Sequence, residues 1–132
     1  MIGQWQYKID LKDKNILRIF EEDNNVIVPQ KLKEFIEENN GASPQKYKFD
    51  INGKTEVFGA VLNFNCDDNE GTSATFAIES VINNKLFPFA VDPFGNFICV
   101  DLDSGEIVFY EHETAKHKYV CKNLEALLLM LH

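Results

Sequence analysis

Two apolar runs set close together constrain this chain more than any other feature. Residues 97–102 read FICVDL and residues 107–110 read IVFY, with DSGE between them. Both runs place β-branched or aromatic side chains at successive positions, so a strand made from either is apolar on both faces. Such a strand is stable only inside a sheet that is covered on both sides. Asp103, Ser104 and Gly105 supply turn chemistry, so the two runs predict an inner β-hairpin. A three-residue turn would place Leu102 opposite Glu106, Val100 opposite Val108, Ile98 opposite Tyr110 and Asn96 opposite His112. The 132 residues are enough for one domain, 1–132, built round that hairpin.

The flanking segments predict what covers it. Ile16, Leu17, Ile19 and Phe20 suggest a short helix with Asp13 as its cap. "VPQKLKEFIEENNG" predicts a second helix, with Pro29 in the first position, where a missing N–H costs nothing. Leu32, Phe35 and Ile36 share one face of it, Lys33 and Glu37 pair on another, and Asn39, Asn40 and Gly41 stop it. Asn52-Gly53 is a strong type I′ hairpin signal. It joins the alternating Tyr47, Phe49 and Ile51 to a returning strand with Val57, Val61 and Leu62, in which Gly59 marks a bulge. Phe76, Ala77 and Val81 suggest a short helix ended by Asn83-Asn84. Pro88 and Pro93 keep residues 86–96 out of a sheet's middle, except at an edge or a strand end. "HKYVCK" is a last short strand. "NLEALLLML" is a closing helix capped by Asn123, with Leu124, Leu127, Leu128 and Leu131 as its core stripe. Helices, then hairpin-linked strands, then a helix make an α+β domain: a single antiparallel sheet packed by N-terminal and C-terminal helices.

Charge narrows the function classes. The net charge is −8. Residues 1–66 carry 9 basic and 10 acidic residues (9 − 10 = −1), and residues 67–132 carry 4 and 11 (4 − 11 = −7). Between Thr55 and Ala115 the only basic residue is Lys85. That distribution opposes direct nucleic-acid binding and anionic membranes, both of which need cationic groups. It favours a cationic partner, although an acidic surplus also serves solubility. No apolar run approaches a membrane span, and no leader-like start is visible, so a cytoplasmic location is expected. Cys66, Cys99 and Cys121 form no CxxC pair and read as core thiols of a reducing compartment.

The cluster "EHE" at 111–113 invites a catalytic or metal reading, and strand geometry argues against it. Successive strand residues point to opposite faces, so Glu111 and Glu113 would share a side while His112 points away. This is not the helical spacing that brings two imidazoles to one metal. Two carboxylates flanking a small substrate would resemble glycosidase chemistry, yet two solvated acids at a strand end explain them as well. No phosphate-cradling glycine loop or nucleophile elbow occurs. No catalytic, metal or cofactor-binding residue is assigned, and no cofactor is expected. "DPFGN" reads as a turn, with Pro93 fixing φ, Gly95 free to take positive φ and Asn96 capping it before the strand. His112 reads as a hydrogen-bonding partner of Asn96 or of the Asp92 loop.

Three stretches together resemble a known family. "VPQKLKEFIEENNG", "FPFAVDPFGNFICVDL" and "GEIVFYEHE" follow, in order, the helix, core and strand motifs of the SUKH superfamily, which includes the yeast Smi/Knr-type cell-wall regulator and many small bacterial proteins. The resemblance runs from about residue 26 to 131. It implies an α+β fold and, for bacterial members, immunity proteins that bind and neutralise toxins delivered between cells. The implied partner is a basic protein toxin, with nucleases prominent in that class, bound by a monomer or weak homodimer without catalysis. Pro29, Gly41, Asp92, Pro93, Gly95, Asn96 and His112 then read as architectural. Asp67, Asp68, Glu70, Glu111 and Glu113 are the candidates for partner contact. A non-catalytic intracellular scaffold or regulator, as in the eukaryotic relatives, is the alternative. A small enzyme using the acids at the sheet end is the third reading, and it would need a deep pocket.

Overall fold

The structure is a computed structural model that describes residues 4–65 and 73–132. The chain runs through β1 (Trp5–Gln6), α1 (Ile16–Asn24), α2 (Gln30–Asn39), β2 (Ser43–Pro44), β3 (Lys48–Ile51), β4 (Lys54–Val57) and β5 (Ala60–Val61). It continues through α3 (Ala74–Val81), a 3-10 turn at Ile82–Asn84, β6 (Leu86–Val91), β7 (Phe97–Asp101), β8 (Ile107–Glu111), β9 (Lys116–Cys121) and α4 (Leu124–Met130). The fold is α+β with antiparallel strands, as the element order implies.

A five-stranded sheet in the order β5-β6-β7-β8-β9 forms the centre, and β1-β2 and β3-β4 add two small ribbons beside it. The inner hairpin is β7-β8, and Phe97, Ile98, Cys99, Val100 and Ile107 to Tyr110 are all buried. That is the arrangement two doubly apolar runs demand. Aromatic rings fill the core: Phe64 stacks on Phe87, while Phe49 meets Phe109 and Phe20 meets Phe64 edge to face.

The β7-β8 register differs from the sequence expectation by one residue. Ile98 pairs with Phe109 rather than Tyr110, and Val100 with Ile107 rather than Val108. The reason lies in the turn. The Asp101 carboxylate accepts the backbone N–H of Asp103 at 2.9 Å and of Ser104 at 3.2 Å, so the turn begins at Asp101. Asp101 N–H then donates to the Glu106 carbonyl at 2.8 Å, leaving a four-residue loop, 102–105, with Gly105 at φ +79°.

Other local expectations change in instructive ways. Asn52 and Gly53 adopt φ of 50° and 83°, so the type I′ hairpin forms as read. The returning strand does not continue through Gly59. It ends at Val57, and β5 joins the central sheet instead. An ideal Cβ on Gly59 would lie 2.7 Å from the Val91 carbonyl oxygen, so this glycine permits close approach of two backbones. Pro88 lies within β6, where β5 does not reach: β5 pairs only with Ala90 and Val91. The proline therefore occupies a locally one-sided stretch of the strand, beside an irregularity between Pro88 and Ala90.

The helix details shift by a residue or a partner. α2 begins at Gln30, one position after Pro29, whose carbonyl accepts from Leu32 and Lys33 N–H groups at 3.1 Å. Lys33 does not pair with Glu37. It reaches Glu21 of α1 at 3.1 Å, because Glu21 is already fixed nearby by the Val28 N–H. Asp13 accepts from Asn15 N–H at 2.8 Å and stands two residues ahead of the cap position of α1. Asn123 caps α4 as expected, accepting from Ala126 N–H at 2.9 Å. Within α4 only Leu127 is buried, while Leu129 is exposed.

Candidate partner-binding surface

The end of the sheet that carries the 92–96 and 112–115 turns is built on Asp92. Its carboxylate is buried and accepts three hydrogen bonds: from Phe94 N–H at 2.9 Å, Asn96 N–H at 2.8 Å and the Asn96 side-chain amide at 3.0 Å. Its own N–H donates to the Asn96 carbonyl at 2.9 Å. Pro93 follows it in the tight turn, and Gly95 takes φ +86°. The Asn96 side-chain carbonyl then accepts the His112 backbone N–H at 3.1 Å. The His112 ring lies over Gly95, with Nε2 at 3.5 Å from where a Cβ would stand. The link to Asn96 therefore uses the histidine's backbone, not its ring.

Gly41 has a comparable structural task. Its φ is +72°, and a Cβ would stand 2.7 Å from Ile9 Cδ1. The neighbouring Asn40 is more than a helix stop. It is buried, accepts from Phe64 N–H at 2.8 Å, and donates to the carbonyl oxygens of Ile9 and of the Asn63 side chain at 3.1 Å. It knits the N-terminal segment, α2 and the chain after β5 together. An asparagine beside glycine carries a turn signal, and nothing in its spacing announces three distant partners.

Of the five candidate acids, Glu111 and Glu113 fall within the described residues. β8 ends at Glu111, and residues 112–115 form a turn, so strand alternation does not extend through "EHE". Glu111 forms an ion pair with Lys118 at 3.1 Å, while Glu113 is exposed. Asp67, Asp68 and Glu70 lie outside the described residues. Phe94, at the tip of the turn, exposes 74% of its surface and is the apolar feature of this end that the sequence reading missed. Its signal was its position between Pro93 and Gly95, at the tip of a tight turn.

Each shifted ionisation among the described residues has a local cause. Burial pushes the Cys99 thiol far up, and partial burial raises Cys121. A hydrogen bond and ion pair between Lys31 and Glu125 raise the lysine and lower the glutamate. Asp50 is lowered, first by the Thr55 hydroxyl at 2.7 Å and then by His132 at 3.1 Å. Among the described residues no group of three or more His, Cys, Asp or Glu side chains is placed to hold a metal ion. No helix among them is long and apolar enough to cross a membrane.

A wide groove of about 1100 Å³ runs between the C-terminal end of α1, the following loop and the 102–103 turn. Its charges are mostly matched in pairs: Arg18 with Glu22, Lys33 with Glu21 and Lys85 with Asp103. Ile27 stands on its rim, 85% exposed. The groove is open, and its lining mixes these charges with apolar Val26, Ile27, Ile82 and Leu102. The family model described as SMI1-KNR4 cell-wall (SUKH_6) matches residues 14–128. No curated protein matches the chain.

Proposed function

The chain belongs to the SMI1-KNR4 cell-wall family, and on that premise we propose that it is an immunity protein that binds and neutralises a cognate bacterial toxin. The observation that carries this reading is the charge distribution: residues 67–132 hold 11 acidic and only 4 basic residues. A basic toxin, such as a nuclease with a phosphate-binding site, would be drawn to that surplus and held against it. The inhibition is stoichiometric, and no catalytic step is assigned to the chain. It acts in the cytoplasm, where an incoming toxin would meet its target.

Contact is proposed through the acidic rim residues Glu111 and Glu113, with Asp67, Asp68 and Glu70 in the segment between Asn65 and Ser73. Exposed Phe94 suits an aromatic anchor within such a rim. Membership of the same family also supports a second reading, a non-catalytic intracellular scaffold or regulatory protein-interaction domain.

Co-expression with toxins encoded beside its own gene tests the first reading. Rescue of growth is expected, with binding that weakens as salt rises, because charge steering is screened. Failure to rescue or bind any neighbouring toxin, together with a house-keeping partner, would transfer the weight to the scaffold reading.

A further inference from the structure

The strongest unassigned feature is a groove of about 500 Å³ between α1 and α3. Its floor is apolar: Ile16, Ile19 and Phe20 from α1, and Ile78 from α3. α1 buries Leu17 and Phe20 in the core and packs half-buried Ile16 against it, and Ile19 stands beside them on the groove side. Ile19 remains 37% exposed. The exposed face of Ile19 is therefore apolar surface of this helix that the core does not cover.

The lip of this groove is acidic. Asp23 and Glu79 line it, and among the described residues no lysine or arginine does. Among the described residues neither acid has an ion-pair partner, whereas Glu21, Glu22 and Asp103 of the neighbouring wide groove, which Asp23 also lines, are matched with bases. Asp23 also lies in the last turn of α1, where the helix carbonyls already concentrate negative charge and no basic residue offsets it. An acid in that place is unfavourable for the free protein and becomes favourable when a cation arrives.

We propose that the α1-α3 groove docks a cationic amphipathic segment of a protein partner, with an apolar side chain packed on Ile19 and the accessible edge of Ile16, and a flanking lysine or arginine facing Asp23 and Glu79. A second copy of this chain is a poor occupant. It would bring like charge to an acidic lip on a protein of net charge −8. The inference rests on the immunity reading only for the existence of a protein partner, and it places the anchor on a different surface from the rim acids.

A synthetic amphipathic helix, with leucines on one face and lysines beside them, is the probe. Titrated into the isotope-labelled full chain, it should shift backbone amide resonances of residues 16–24 and 75–79. The charge-reversed pair Asp23→Lys with Glu79→Lys should weaken binding at least about tenfold. Ile19→Ser should weaken it as well, and a probe with glutamates in place of lysines should not bind. Thermal melts of the variants verify that they fold, since all three positions lie on the groove's accessible side. Resonance shifts mapping elsewhere, an unchanged affinity in the charge-reversed pair, or no binding would overturn the inference. Concentration-dependent shifts of the same residues without probe would identify a second copy as the occupant and overturn it too. If the charge-reversed chain still neutralises a neighbouring toxin, the groove assignment fails and the immunity reading stands. If the probe maps to the groove while no toxin is bound, the immunity reading fails and the groove stands.

Discussion

The Asn96 side-chain carbonyl accepts the His112 backbone N–H at 3.1 Å, and this bond ties the turn ahead of β7 to the end of β8. The same asparagine donates its amide to the Asp92 carboxylate at 3.0 Å. One short side chain thus links two turns that are adjacent in space and 16 residues apart in sequence. Removing it should be felt at both ends.

Asn96→Ala should destabilise the protein by about 1–2 kcal/mol, since it deletes two hydrogen bonds at a partly buried site. Asp92→Ala should cost more, about 3 kcal/mol, because it strands N–H groups that a buried carboxylate satisfies. Urea denaturation checks the order. Equal losses would mean that the Asp92 carboxylate is not the centre of the turn.

Two glycines should respond differently to alanine. Gly59→Ala places a methyl 2.7 Å from the Val91 carbonyl oxygen, so the backbones must part, at about 1–3 kcal/mol. Gly53 has φ +83° and nothing within 4 Å of its would-be Cβ. Gly53→Ala should cost only backbone strain, about 1 kcal/mol. Thermal melts read the two losses, and amide hydrogen exchange distinguishes the variants further: Gly59→Ala should also loosen amide protection at the β5-β6 pairing, and Gly53→Ala should not.

Asp50 supplies an acid-side signature. Its pKa is lowered in the folded chain, chiefly by the Thr55 hydroxyl. The folded state therefore holds this proton less tightly than the unfolded state, so the stabilisation is present above the unfolded pKa. It is lost as pH falls through the lower folded value. Thr55→Val should bring the carboxyl titration, followed by NMR, back toward the ordinary aspartate range. It should also flatten that part of the acid-side loss of stability. A titration unmoved by Thr55→Val would remove the hydroxyl as the main cause.

Cys99 supplies the alkaline counterpart. Burial raises its thiol, so the folded state retains a proton that the unfolded state releases. Its contribution is present below the unfolded thiol pKa of about 8.5 and is lost as pH climbs above that. In a Cys66→Ser background, a thiol reagent should modify half-buried Cys121 in the native protein and reach Cys99 only on unfolding. Labelling of Cys99 at the native rate of Cys121 would contradict its burial.

Much of the fold was legible because it is written in short-range chemistry. Residues 97–100 and 107–110 are apolar on both faces, so they had to be inner strands. Asn52-Gly53 turns because both positions accept positive φ, and Asn123 caps α4 because its side chain reaches the helix's unpaired N–H groups. The turn at Asp92, Gly95 and Asn96 was readable for the same reason: a turn's partners lie a few residues away.

What escaped were choices between near-equal local options. "VDLDSG" offers two aspartates to begin a turn, and the Asp101 carboxylate wins, shifting the β7-β8 register by one. Lys33 has Glu37 four residues on, yet Glu21 lies closer in space and is held in place by Val28. Gly59 reads as a bulge until Val91 is seen against it. The acids of 111–113 could not be sorted by alternation, because the strand ends at Glu111.

The amino-acid sequence by itself determined where the chain turns, which strands must be inner and that the second half carries the acid surplus, since each depends on residue type and neighbours a few positions away. Only the tertiary structure decided that Asn40 joins three segments, that Glu111 is matched by Lys118, and that Asp23 and Glu79 face one apolar groove. Those relationships are set by distances between residues far apart in the chain, and such distances are fixed only when the whole core packs.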